Sequence, residues 1–364
     1  MIKIDGSYLE GGGQIVRTAL AISTIAKKPF EVYDIRKGRK EPGLKNQHLY
    51  CIKALKQLCS AVCEGDELGS TSIKYYPKKI TSKNLHVDIE TAGSITLLMQ
   101  AVLIPSIFVS KPIKISLIGG TDVNWSMSFD YFSSVILPQV QRFAKVEAKL
   151  LRRGYYPKGG GKIEIKINPK FKLNDFDSFE EFLGKLRESV RTFDLTEQHH
   201  LIQIKGVSHA SIDLQKAEVS ERQTKAAKQI LMQKFEVPIN ITAEYQDTLS
   251  TGSGITLWAI FSKNKDDIDE INPIRIGSDC LGERGKKSED VGQECARNLI
   301  REIESGAPVD RHLSDQLVPF LALIGGKIKT SGITDHCKTN IYAVEQFFGK
   351  VFEVDEGNNI ISIK

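Results

Sequence analysis

The chain has 364 residues, 41% of them hydrophobic and 26% charged, with a formal net charge of +5. That balance excludes a disordered chain and provides apolar side chain for two domains or one large one. The longest apolar stretches, such as "LLMQAVLIPSIFV", are too short to span a bilayer, and the N-terminus has neither a charged leader nor an apolar signal core, so the sequence reads as cytoplasmic with no membrane partner.

The first element of note is "EGGGQIVRTALAISTIAKKPFEVYDIRKG" (10–38): a small-residue turn, an apolar helix, Lys28-Pro29 and an alternating strand. Glycines ahead of a helix either make a tight turn or admit an anion to the free backbone N–H groups. Glu10 beside them suits a phosphate if a divalent metal lies between, and Arg17 falls on the same helix. In "RKGRKEPGLK" (36–45) the basic residues Arg36, Lys37, Arg39, Lys40 and Lys45 face one acid, Glu41, which reads either as a solvated loop or as a site for phosphates or nucleic acid. The six cysteines have no Cys-x-x-Cys pair and no Cys/His ligand spacing, so they read as small core residues.

The segment "GSITLLMQAVLIPSIFVSKPIKISLIGG" (93–120) repeats the form of the first, and its Lys111-Pro112 lies 83 residues after Lys28-Pro29. Next come "GGTD" (119–122) and "RRGYYPKGGG" (152–161), which read as turns between strands and can also line a site. From 184 to 276 the pattern changes. "HLIQIKGVS", "INITAEYQDT" and "GITLWAIFS" read as strands and "VSERQTKAAKQILMQKF" as an amphipathic helix. "GERGKKS" (282–288) is no Walker loop, because Lys287 stands where Ser or Thr should follow the first lysine. The helix "SEDVGQECARNLIREIESG" (288–306) is expected to return to the host fold, and "HLSDQLVPFLALIGGKIKTSG" (312–332) to begin a third copy of the repeat.

The expected fold is therefore α/β (α+β): three repeated α/β units forming a large domain, with a smaller inserted α/β domain. Residues 1–183 would hold the first two repeats, 184–276 the insert and 277–364 the third repeat.

Two polar clusters sit in that third repeat. "RHLSDQL" (311–317) places Asp315 and Gln316 in an expected first helical turn, either as capping groups or as binders of a base or ribose. In "TDHCKTN" (334–340), Thr339 or Asn340 is expected to cap the helix "IYAVEQFF", so that a phosphate at the helix start would lie beside His336. A neutral imidazole nitrogen is a good nucleophile toward phosphorus, and Asp335 or a carbonyl would fix its tautomer. These features together fit phosphoryl or nucleotidyl transfer.

Taken in order, "DGSYLEGGGQIVR", "IRKGRKEPGLKNQHL", "AGSITLLMQ", "GGTD", "RRGYYPKGGG", "LGERGKKSEDVG", "HLSDQL" and "HCKTN" resemble the RNA 3'-terminal phosphate cyclase family over nearly the whole chain. The resemblance implies an enzyme that uses ATP to convert an RNA 3'-phosphate end into a 2',3'-cyclic phosphodiester. It implies that His336 attacks the α-phosphorus to give a histidyl-AMP, that AMP passes to the RNA 3'-phosphate, and that the ribose 2'-hydroxyl then displaces AMP. Glu10 matches the ligand of a Mg2+ or Mn2+ ion near the ATP phosphates. Arg17, Arg36, Arg39 and Gln47 match positions at the phosphate end, and Gln100 with His312, Leu313, Ser314, Asp315 and Gln316 match the adenylate pocket. One departure is "GGTDVNWSMSFDY", where many relatives carry prolines, which alters the wall of the nucleotide pocket. The other readings are a non-catalytic cyclase-like protein of ribosome biogenesis, which would lack the histidine, an enolpyruvyl transferase, which needs about twice the repeats, and a plain RNA-binding module. The sequence leaves the oligomeric state open.

Overall fold

The structure, a computed structural model, describes residues 1–9, 11–264 and 268–364. Its first sheet is built from β1 (Ile2–Asp5), helix α1 (Gln14–Ala26), β2 (Phe30–Tyr33), α2 (Asn46–Cys59), β3 (Val62–Glu64) and β4 (Ile73–Tyr76). The second follows the same plan: β5 (Leu85–Asp88), α3 (Ile95–Ile107), β6 (Ile113–Gly119), a helical run, β7 (Ala144–Arg152) and β8 (Gly161–Pro169). That run consists of α4 (Phe129–Tyr131), a π turn (Phe132–Ile136) and α5 (Leu137–Val140). Then come α6 (Phe179–Ser189), β9 (Phe193–Leu195), β10 (His200–Ser211), α7 (Val219–Met232), β11 (Ile239–Gln246), β12 (Ser253–Ser262), β13 (Ile274–Leu281) and α8 (Ser288–Glu304). The chain closes with α9 (Arg311–Ile324), β14 (Gly326–Lys329), α10 (Asp335–Phe348), β15 (Phe352–Asp355) and β16 (Ile360–Ile363).

Strand pairing shows three copies of one βαβαββ unit. The sheet orders β1-β2-β4-β3, β5-β6-β8-β7 and β9-β14-β16-β15 are the same, with the first pair parallel and the other two antiparallel in each. The third copy is split. Its first strand, β9, pairs with β14 through Phe193↔Gly326 and Leu195↔Ile328, although more than 120 residues lie between them in the chain. The intervening chain forms the separate sheet β11-β10-β12-β13.

These layers differ from the expected bounds at 184 and 276. Helix α6 and strand β9 precede the inserted sheet, and β13 continues that sheet from Ile274 to Leu281. Helix α8 does not return to the repeats. It packs on α7, β12 and β13, burying Val291, Cys295, Ala296, Leu299 and Ile303, because its apolar stripe needs a cover that the inserted sheet supplies. Gly292 makes the close approach to α7 possible, since a Cβ there would meet the Gln223 carbonyl oxygen at 2.2 Å.

Helices α1 and α3 form the centre. Every residue of α1 is buried, and α1 packs on α3, α2 and α10, while α9 packs on α10. A helix apolar all round has no solvent face, which is why the few polar groups on α1 point at something specific. The cysteines are free thiols, buried except for the half-buried Cys280. No helix among the described residues is long and apolar enough to cross a membrane.

The second unit and the insert meet through a buried charged network. Arg153, 1% exposed, bonds Asp122 at 3.1 Å, Asp130 at 2.7 Å and Glu244 of the insert at 2.8 Å. His209 of β10 adds its Nε2 at 3.3 Å from Asp122, and its Nδ1 pairs with the Tyr155 hydroxyl at 2.8 Å. Burial would raise the Asp122 pKa, but His209 and Arg153 hold the carboxyl below the usual range. Thus "GGTD" and "RRGYY" meet as one ion-pair joint.

Candidate active site

The helices that form the centre also bring the candidate residues together. A cleft of about 940 Å³ is lined by Arg17, Arg36, Arg39, Gln47, Gln100, His312, Asp315, Gln316 and His336, with Gly12, Gly13 and Gln14 at one end. Leu313 and Ser314 are not part of it. Both are fully buried, and the Ser314 hydroxyl donates to the Arg311 carbonyl at 2.8 Å. Helical periodicity explains the split: 312, 315 and 316 share one face, while 313 faces the core. Glu10, the expected metal ligand, lies outside the described residues.

His336 is exposed on the first turn of α10. That helix starts earlier than expected. Thr334 is its cap, accepting the Cys337 N–H at 3.0 Å, so Thr339 and Asn340 are buried within the helix instead of preceding it. Thr334 also donates to Asp315 Oδ1 at 2.7 Å. Asn340, one turn beyond His336, accepts from the Thr18 hydroxyl at 2.6 Å and donates to the Asp315 carbonyl at 2.6 Å. The histidine is therefore carried by a helix start bonded to both α1 and α9.

Helix α9 is likewise capped one residue before the quoted motif. Asp310 accepts N–H groups from His312 at 3.0 Å and Leu313 at 2.9 Å, the Tyr131 hydroxyl at 2.6 Å and the Gly277 N–H at 2.9 Å. Asp315 and Gln316 thus belong to the second turn, where their role is to face the cleft. Sequence reasoning missed Asp310, although an aspartate just before the polar run is the usual signal for a cap.

Among the arginines of the cleft, Arg17 is buried and its Nε donates to Gln100 Oε1 at 2.7 Å. Burial lowers its pKa to about 10, so it stays charged at neutral pH. Arg36 takes a left-handed φ of 56° and donates to the carbonyls of Glu41 at 2.7 Å and Gly43 at 3.0 Å, closing the loop that presents Arg39. Two lysines of the basic cluster are occupied elsewhere: Lys37 pairs with Asp34, and Lys45 with Glu41. Helix α1 adds a first turn with no acidic residue and no side-chain cap bond at Gly13. With α10, two helix N-termini border the cleft, which is a setting for anions.

His48 was missed by sequence reasoning. It follows Gln47 on α2, is 1% exposed, and its Nδ1 accepts the Lys45 N–H at 2.9 Å, leaving Nε2 to carry the proton. A Cβ on Gly13 would sit 1.8 Å from that Nε2, so the glycine turn exists to let the imidazole lie beneath it. Burial first, then Arg17, Arg36 and Lys45, push its pKa well below the ordinary value and keep it neutral. The available signal was a polar group three residues into a helix after Lys45.

Among the described residues, the group with metal-ligand spacing is Asp122, Asp130 and His209, and Arg153 already bonds both carboxylates. Among the described residues, the carboxylates lining the cleft are Asp315, held by Thr334, and Asp279, which accepts the Ser128 N–H at 2.7 Å.

Repeated α/β units that converge arginines, two helix starts and an exposed histidine on one cleft define a phosphate-handling enzyme. The sequence model of the RNA 3'-terminal phosphate cyclase family matches residues 8–354, and the chain belongs to that family. It is 43% identical over 358 residues to the RNA 3'-terminal phosphate cyclase of Pyrococcus furiosus, covering 98% of this chain and 96% of that one. The enzyme of that name from Thermococcus onnurineus is 42% identical, with 98% and 96% covered, and that from Methanopyrus kandleri 40%, with 97% and 95% covered.

Proposed function

We propose that the protein is an ATP-dependent RNA 3'-terminal phosphate cyclase acting through a histidyl-AMP. The observation that carries this reading is the placement of His336 on the cleft shared by Arg17, Arg39, Gln100, Asp315 and Gln316. An imidazole nitrogen of His336 attacks the α-phosphorus of ATP, the P–N bond forms and pyrophosphate leaves. A terminal RNA 3'-phosphate oxygen then attacks the same phosphorus, which frees the imidazole. The adjacent 2'-hydroxyl loses its proton and attacks the activated 3'-phosphorus, so that AMP departs. That step gains from a nucleophile already tethered beside its target.

Each residue has a task in this scheme. Arg17, Arg36 and Arg39, with the start of α1, bind the pyrophosphate end. Gln47 sits beside them. Gln100, His312, Asp315 and Gln316 hold the adenosine, and Thr334 and Asn340 fix the direction of the nucleophile. Mg2+ or Mn2+ would be held by Glu10, as the family resemblance implies, a hard carboxylate oxygen being a ligand suited to either ion. The chemistry supplied by such an ion, when bound, would be neutralisation of charge that builds on the phosphate oxygens. The reaction would take place in the cytoplasm, with the repeats as catalytic domain and the insert as a separate small domain.

The decisive experiment incubates the protein with α-labelled ATP and Mg2+ in the absence of RNA. Acid-labile label on the wild type and none on His336→Ala is the expected result. An unlabelled wild type that demonstrably binds ATP would leave the ribosome-biogenesis reading in its place.

A further inference from the structure

Trp125 is one of two tryptophans in the chain and is 97% exposed, on the loop between β6 and α4. An indole in water forgoes a large apolar burial, so its exposure needs a cause. The loop is held on both sides of the ring. Asp122 is locked to Arg153, the Ser126 hydroxyl donates to the Val123 carbonyl at 2.9 Å, Thr96 donates to the Met127 carbonyl at 2.8 Å, and the Ser128 N–H donates to Asp279. Trp125 itself has φ 65°, a left-handed conformation unusual for a bulky residue. The ring is thus presented by a fixed loop, and not left out by a loose one.

Its position gives the exposure a use. Trp125 lines the cleft that holds His336, and it also lines an adjoining pocket of about 260 Å³ that includes Asp279, Glu283 and Glu294. In that second pocket Glu294 is paired with Lys286 at 2.6 Å and Asp279 accepts the Ser128 N–H, which leaves carboxylate oxygens there to accept hydrogen bonds from the amino edge of a base. Arg36 and Arg39, in the first pocket, attract the phosphate. A nucleotide with its phosphate toward the arginines and its base over the indole satisfies both ends.

We propose that Trp125 is the stacking platform for the 3'-terminal base of the RNA acceptor, a subsite that tells a base-bearing end from a bare sugar-phosphate. It rests on the reading of the protein as an RNA-end cyclase. Stacking on an aromatic ring tolerates any base, so the subsite would secure the end without choosing its sequence.

The test is equilibrium binding, by fluorescence anisotropy and without ATP, of a short 5'-fluorescein RNA ending in a 3'-phosphate, against the same RNA lacking its last base. Wild type is expected to bind the complete end about tenfold more tightly than the abasic one. Trp125→Ala should lose that ratio by weakening only the complete end, and Trp125→Phe should keep most of it. Because the residue is exposed, neither variant threatens folding. A wild type that binds both ends equally, or a Trp125→Ala variant that keeps the ratio or weakens both ends alike, overturns the proposal. A raised ATP requirement for histidyl labelling in Trp125→Ala, with the RNA ratio intact, would assign the ring to the nucleotide and overturn it as well. The labelling of wild type by ATP, measured separately, decides the parent reading.

Discussion

Gln100 and Gln316 stand at the same place on two copies of one helix, six residues past the caps Ser94 and Asp310, and the first donates to the second across 3.0 Å. Gln100 also accepts from Arg17 on α1 at 2.7 Å, so one amide joins helices from all three repeats. Gln100→Leu would leave the buried Arg17 Nε without that acceptor. The expected cost is about 1–3 kcal/mol in urea unfolding, with weaker ATP binding by calorimetry. Unchanged stability would mean that Arg17 finds another partner at no cost.

His48 sets a pH dependence. Its folded pKa lies well below the ordinary value of 6.5 because of burial and three nearby cations. Below about pH 6.5 the unfolded chain takes up a proton at this site that the folded protein refuses, so stability falls as pH falls. The slope contributed is at most about 1.4 kcal/mol per pH unit. Denaturation curves between pH 7.5 and 5.5 should show it in wild type and show a shallower dependence in His48→Gln.

Thr334 serves as both the cap of α10 and the donor to Asp315. Thr334→Ala should cost about 1 kcal/mol of stability and slow histidyl labelling, because the helix start that carries His336 loses both bonds. Thr334→Ser should restore most of both. Labelling kinetics at saturating ATP separate this positioning effect from nucleotide affinity.

Arg153 is the cation of a buried joint with Asp122, Asp130 and Glu244. Arg153→Met would strand buried carboxylates, at an expected loss of about 3–5 kcal/mol in chemical denaturation. A much smaller loss would show that water reaches the joint.

His336 lies exposed on the first turn of α10, and the role proposed for it is chemical. His336→Ala should therefore change stability by no more than about 0.5 kcal/mol while abolishing the label. A variant that unfolds would instead mark the residue as structural.

Much of this was present in the sequence. Apolar runs that end in Lys-Pro or Gly-Gly revealed α1, α3 and α9 with their following strands, since the period and stop signals of an element are local properties. The motifs likewise pointed to nine residues that the fold gathers on one cleft. Local pattern failed where a neighbour in space decides. Strand β9 has three residues and gains its identity only by pairing with β14 far along the chain, and α8 could have covered either sheet.

The sequence by itself therefore determined the repeated units, the inserted segment and the candidate chemistry, because periodicity and residue type are written along the chain. Only the tertiary structure decided that the insert splits the third repeat, that α10 begins at Asp335, and that His48 lies beneath Gly13. It also decided which basic residues face the cleft and which are spent on neighbouring acids. These are long-range contacts, fixed by the packing of buried surfaces and the pairing of buried polar groups, and no short stretch of sequence contains both partners.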